Sequence, residues 1–392
     1  MTARVADVID VLQGAYPPAL AESWDAVGLV CGDPAELVSR VLIAVDPVPE
    51  TVEEAVGSGA QLLVSHHPLM LRGVHGVPAD QPKGALVHRL IRSGVALFTA
   101  HTNADSADPG VSDALADALG VAVDGPLQPR AALALDKIVT FVPVGPVTER
   151  VLDALAEAGA GRIGDYSHGA WRTDGVGQFL PHDGARPAIG RVGALERVEE
   201  TRLEMVLPRS RRRAVVEALR AAHPYEEPAF DLVELAEIPA ALGLGRVGEL
   251  PGAGTLAQFT ERAARALPAT AWGLRAAGDP DRPIRRVAVC GGAGDSALGA
   301  AIAAGADVYL TADLRHHPAS EHLLAGSLAG RDTPALVDVA HWASEHPWCE
   351  QAAAVIRAAL GSTVEVCVSW RRTDPWTLGA GRQQDTLERT TE

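Results

Sequence analysis

The chain has 392 residues, 47% of them hydrophobic and 21% charged, with a net charge of −16. This is a globular composition long enough for two or three domains, and its acidic balance argues against binding a nucleic-acid backbone, which needs basic stripes. The four cysteines form no C-x-x-C pair, which excludes a zinc ribbon or disulfide framework and fits a reducing cytoplasm.

The N-terminal segment VADVIDVLQGAY places Val5, Val8, Ile9 and Leu12 on one side of a helix. It lacks the basic start and continuous apolar stretch of a signal peptide. No window reaches ~18 uninterrupted apolar residues, so no membrane span is expected. The runs VLIAVD (41–46), LLVSHHP (62–68) and VALFTAHTNAD (95–105) read as strands, separated by helices at PETVEEAVGSGA and KGALVHRLIRSG and followed by one at GVSDALADALGV. Strands alternating with such helices predict a parallel sheet. Two of the strands end in polar residues at the carboxyl edge, where sites in open α/β sheets collect.

From about Arg130 to Leu242 the pattern changes. IVTFVPV (138–144), a helix over 147–158, RLEMVLP (202–208), a helix at RRRAVVEALRAAH and FDLVEL (230–235) suggest a ferredoxin-like α+β module. Between the two halves of this module lies a Gly-rich stretch, GAGRIGDYSHGAWRTDGVGQF, and HDGARPAIGRVGA (182–194) reads as a mobile loop. The densest basic run, Arg209–Arg213, reads as a solvated helix start, with a phosphate contact as the alternative. Beyond it RRVAVCGGAGDS (285–296), ADVYLTAD (306–313), ALVDVAH (335–341) and VEVCVSW (364–370) return to βα alternation, with a helix at WCEQAAAVIRAALG. The expected organisation is one α/β domain in two halves, 1–129 and 243–380, interrupted by a module at 130–242 and followed by a disordered tail at 381–392.

Three segments carry metal-ligating residues at or after strand ends: His66 and His67 in SHHP, Asp105 in HTNAD, and His341 and Glu345 in HWASE. Imidazole and carboxylate suit a divalent transition metal such as Zn, Fe, Mn or Co. Five ligands exceed one tetrahedral ion and suit two ions with a bridging carboxylate, an arrangement that activates water. At i, i+4 spacing His341 and Glu345 share a helix face, where Glu345 could bridge. His101, four before Asp105, could ligate or shuttle a proton. Taken singly these are weak signals: an HH pair is often an ordinary loop pair, and Asp105 reads equally well as a helix cap. Asp313 with His316 and His317 forms a competing set, for which a helix N-terminus near the site is the preferred reading. CGGAGDS reads as a tight turn rather than a phosphate cradle. Trp24 and Asp25 in ESWDAVGL could shape a pocket wall.

The combination of SHHP, AHTNAD, GADVYLTAD, WDAVGL and the late H-x-x-x-E resembles the Nif-three-like dinuclear metal family, whose members are labelled GTP cyclohydrolase I type 2 homologues. The resemblance implies two metal ions held by His66, His67, Asp105, His341 and Glu345, with His101 close to them. It also implies a toroidal homohexamer and a hydrolase acting on a small molecule or nucleotide. Ala26 stands where family members usually have Asn. AAHPYEEPAFDLVEL (221–235) is similar to the H-P-Y-E-x-P signature of the CutA/PII-like insert of longer members. In that motif His223 and Glu226 could bind a ligand or, the preferred reading, shape a turn and a trimer contact. A metal-handling or regulatory hexamer whose insert senses a small ligand is the alternative to a hydrolase.

Overall fold

The computed structural model describes residues 2–130, 134–236, 241–329 and 333–380. The tail expected at 381–392 lies outside the described residues. The fold is mixed α/β, and the chain forms two compact units, one of Met1–Arg130 with Ala241–Glu392 and one of Ala131–Ala240.

The first unit holds two larger sheets. In the five-stranded sheet the order is Glu365–Val368, Arg40–Ala44, Leu62–Ser65, Ala96–Thr99 and Gly28–Cys31. The first four are parallel and the last is antiparallel. The three inner strands are buried along nearly their whole length, as the continuous apolar runs require of a sheet covered on both faces. Successive side chains divide between two cores. Val41, Ile43, Leu62, Val64 and Phe98 face one; Leu42, Ala44, Leu63 and Leu97 join the helices Pro49–Ser58 and Pro82–Arg92 in the other.

The six-stranded sheet runs Leu274–Ala277, Ala335–Val339, Val308–Ala312, Pro283–Ala293, Gly243–Thr255, Ala122–Pro129. Its middle three strands are parallel. The helix His341–Leu360 touches strands of both sheets and buries Trp348, Ala352, Ala353 and Ile356. It starts seven residues earlier than the sequence pattern suggests, so His341 and Glu345 lie in its first turns. Arg246 is 1% exposed. Its guanidinium donates to Asp113 Oδ1 (2.7 Å), to the Gly243 and Gly245 carbonyls (2.8 and 2.7 Å) and to the Ala107 carbonyl. No helix among the described residues is long and apolar enough to cross a membrane.

The second unit is a four-stranded antiparallel sheet in the order Phe230–Glu234, Leu135–Pro143, Glu196–Pro208, Ala170–Phe179. With helices Pro146–Glu157 and Arg212–Ala222 it makes a βαββαβ ferredoxin-like unit. One face buries Ile138, Val142, Leu203, Met205 and Leu207 against Val151, Leu155, Val215 and Leu219. The edge strand Ala170–Phe179 falls in the Gly-rich stretch; it is exposed along most of its length and so has no hydrophobic alternation to reveal it. Three of the four arginines of the basic run are ion-paired. Arg212 reaches Asp136 (2.7 Å) and Glu234 (2.8 Å), Arg209 reaches Asp136 (3.2 Å), and Arg213 reaches Glu217 (2.8 Å).

Candidate metal centre

Each candidate side chain is placed by the end of a regular element. His66 and His67 leave the Leu62–Ser65 strand with their amides still bonded to the neighbouring strand's course, at Ala44 O (3.1 Å) and Val45 O (2.9 Å). His101 is the N-cap of a short helix, Thr102–Ser106, that carries Asp105. Asp105 thus stands within this helix, and the cap of the next one, Val111–Leu119, is Gly110. His341 and Glu345 are one turn apart at the start of the long helix.

The side chains converge. His67 Nε2 lies 3.1 Å from Glu345 Oε2, and His341 Nε2 lies 3.1 Å from Glu345 Oε1. His66 Nε2 is 3.5 Å from Glu345 Oε1 and 3.7 Å from Asp105 Oδ1. His67 and His341 face each other through their Nε2 atoms at 3.3 Å. Two groups of three donors form, His66–His67–His101 and His67–His341–Glu345, each within 4.8 Å, and they share His67. Glu345 therefore faces His66 and His341 through Oε1 and His67 through Oε2.

The opposite ring nitrogens explain this orientation. His66 Nδ1 donates to Ala100 O (2.9 Å), His67 Nδ1 to Asp46 (2.7 Å), His101 Nδ1 to Asp25 (2.8 Å) and His341 Nδ1 to Asp313 (2.7 Å). A proton held on Nδ1 leaves the Nε2 lone pair aimed at the site, the tautomer a metal ligand needs. Asp25 is itself fixed by the Thr102 amide (3.0 Å) and hydroxyl. Burial opposes ionisation of Asp25, but the bonds from His101 and Thr102 prevail and lower its pKa.

The donor set fits a metal cation. His66 Nε2 and Glu345 Oε2 are buried and have no hydrogen-bond partner among the described residues, although buried polar atoms are ordinarily satisfied. Lone pairs and carboxylate oxygens alone repel, so positive charge is needed at their centre. Without an ion, protons supply it. Burial disfavours charge on His67 and His341, but Glu345 with Asp46 raises His67 to about 10, and Glu345 with Asp313 raises His341 to about 11. Burial raises the Glu345 carboxyl, and the flanking imidazoles overcome this and hold it well below its usual range. Burial raises Asp105 to about 6, His66 pulling against it and Glu345 with it. Burial and the neighbouring His66 push His101 down to about 4. Its ring is neutral at pH 7.

Gly292, in CGGAGDS, has φ +69°, and a Cβ there would strike Glu345 Oε1 and lie 3.2 Å from His341 Nε2. The motif brings backbone against the centre. His346 is buried with Nε2 on Ser369 O (3.0 Å), apart from the ligand cluster. His316 and His317 are exposed at a helix start and pack on each other. Asp313, at φ +55°, orients His341 and carries neither of them into the centre. Sequence reasoning missed the orienting roles of Asp46, Asp25 and Asp313; Asp46 had a signal, because VLIAVD ends at the same sheet edge as SHHP.

A family model described as Duf34/NIF3 (NGG1p interacting factor 3) matches residues 3–375. A Mycobacterium tuberculosis protein named "GTP cyclohydrolase 1 type 2 homolog" is 58% identical, over 98% of this chain and 100% of its own. One of the same name from Mycobacterium leprae is 57% identical over 98% of each. A crystal structure titled as a Bacillus cereus protein related to NIF3 matches with a TM-score of 0.66 and 35% identity, covering 96% of this chain and 99% of that one.

Proposed function

The chain belongs to the Duf34/NIF3 family, and on that premise we propose that it is a dinuclear metal-dependent hydrolase. The observation that carries this reading is the convergence of three Nε2 atoms on one buried carboxylate, with His66 Nε2 and Glu345 Oε2 unpartnered. His66, His67, Asp105, His341 and Glu345 would together hold the two divalent ions, Glu345 being the carboxylate that the three imidazoles share. Such a pair of ions supplies Lewis acidity and lowers the pKa of water toward 7. Zn, Fe, Mn and Co all suit this donor set.

The protein's own residues do the rest. Asp46, Asp313 and the Ala100 carbonyl keep the ligand rings in one tautomer. Asp25 does the same for His101, whose neutral ring is free to accept a proton at Nε2 as general base or to ligate. The relatives' names suggest GTP as substrate, opened at its imidazole ring by hydrolysis. Purified protein loaded with zinc, iron or manganese should convert GTP more than ~100-fold faster than an Asp105→Ala variant. Equal rates would sink the assignment. The assembly proposed is a cytoplasmic homohexamer, and the inserted βαββαβ unit is proposed to be a CutA/PII-like module.

A second reading, a regulatory assembly in which the insert senses a small molecule, is favoured by one feature. A cavity of about 440 Å³ in the second unit is lined by Phe141, Phe179, Tyr225 and Glu200. A ligand that stabilises this unit without turnover at the metal centre would select it.

A further inference from the structure

Beside His67 and His341 a second cavity, of about 260 Å³, is walled by the indoles of Trp272, Trp342 and Trp376. Trp272 and Trp376 keep 37% and 60% of their surface exposed. The Arg275 guanidinium lies over the Trp272 ring, 4.5 Å from its centroid, so the more exposed indole of Trp376 is the platform for a flat ring. Thr373 and Asp374 also line the cavity. The Thr373 hydroxyl donates to Asp46 Oδ2, and Asp46 Oδ1 holds His67. The wall is therefore pinned to the carboxylate that orients one of the candidate ligands.

Asp374 is 6% exposed, and its Oδ2 has no hydrogen-bond partner among the described residues. The other two carboxylates of the cavity, Asp46 and Asp313, are engaged by histidines. An acceptor buried and left unpaired is unfavourable, and a donor on a ligand would relieve it. The lining contains no lysine or arginine. Away from the candidate metal ligands, the cavity thus offers a phosphate no cationic side chain of its own.

Resting on the hydrolase reading, we propose that this cavity is the recognition subsite of the metal centre. It takes a planar nitrogen heterocycle whose ring or exocyclic N–H donates to Asp374 Oδ2 while its face lies on Trp376. Any phosphate of the substrate stays outside it. Asp374 is then a specificity residue: it discriminates between rings of the same shape by whether they carry a donor.

The test is calorimetric titration of metal-loaded, full-length protein with guanosine and with purine riboside, a ring of the same outline without an N–H. Metal content is measured on every sample. Guanosine should bind the wild type, and at least about tenfold more weakly to Asp374→Leu, which removes the acceptor and keeps the γ-branched shape. Trp376→Ala, at an exposed position that does not endanger folding, should weaken it about tenfold. Purine riboside should bind weakly and equally to wild type and Asp374→Leu. Undiminished guanosine binding to Asp374→Leu with metal intact would overturn the proposal. So would equal binding of the two nucleosides, or no guanosine binding by the wild type. Failure of the hydrolase reading shows differently, as a wild type that lacks metal or turns over independently of it while guanosine binding persists.

Discussion

His66 in the α/β unit and His223 in the ferredoxin-like unit are both buried, at 0% and 6% exposure, and both belong to motifs with ligand-like residues around them. They differ in what their second nitrogen does. His223 spends both: Nε2 bonds Phe141 O (3.0 Å), and Nδ1 accepts from the Tyr225 amide (3.1 Å). Glu226, its motif partner, accepts from the Arg186 amide (2.8 Å). H-P-Y-E-E-P in this chain is a satisfied turn. His66 has one nitrogen fixed and the other unpartnered beside Glu345. Residue type and burial do not separate a ligand from a structural histidine; the accounting of each ring nitrogen does.

The largest effect that sharpens this contrast is expected from Glu345→Ala. It removes the carboxylate shared by three imidazoles, and affinity for both ions should fall by more than ~100-fold, beyond what outer partners cost. Elemental analysis per protomer beside the wild type checks this. A wild type carrying no ion would leave the centre a proton-held cluster and erase the contrast. Next, Asp46→Asn should weaken metal binding about 10- to 100-fold by releasing the His67 tautomer; a chelator competition titration measures it. Third, His223→Ala should lower stability by about 1–2 kcal/mol, the cost of leaving the Phe141 carbonyl and Tyr225 amide unpaired. Thermal unfolding reads this change, and metal content should stay constant. Metal loss in this variant would break the comparison.

The smallest effect is in protons. With folded pKa values near 10 and 11, His67 and His341 are charged at pH 7.5 in metal-free protein. They stabilise that form fully below about pH 6.5, their unfolded value, and this contribution is lost as pH rises through 10 to 11. Burial lowers His223, so its contribution runs the other way: it is present above about pH 6.5 and lost as pH falls through the lowered folded value. Zinc binding at pH 7.5 should accordingly release about two protons, measured by calorimetry in buffers of different ionisation heat. Release of none would assign the charge in the empty centre to some other group.

Much of this was readable before any coordinates. Leu62–Ser65 and Ala96–Thr99 announce themselves as apolar runs because both faces of their sheet are covered. The polar residues that follow them had to lie at its edge. The i, i+4 pair His341 and Glu345 was legible as one helix face, though the helix start was not, because Pro347 within HWASEHPW reads as a break. Other elements left no pattern. Gly243–Thr255 is rich in glycine, and Ala122–Pro129 contains two prolines; both are strands by backbone pairing with neighbours remote in sequence. Asp313 was visible as an acid after a strand, but its role depends on a left-handed backbone that turns it toward His341.

Arg246 sets an order in time. The loop that follows Asp105 is clasped by the guanidinium at the Ala107 carbonyl and the Asp113 carboxylate, and Arg246 lies 139 residues beyond Ala107. At roughly 5–20 residues per second of synthesis, the intervening chain, the whole second unit included, must emerge before that clasp exists. His341 and Glu345 emerge later still. A nascent chain presents His66, His67 and Asp105 for many seconds with neither clasp nor bridge. The centre is thus assembled last, by the C-terminal half arriving on a half-built pocket, and a truncated chain is left with histidines but no centre.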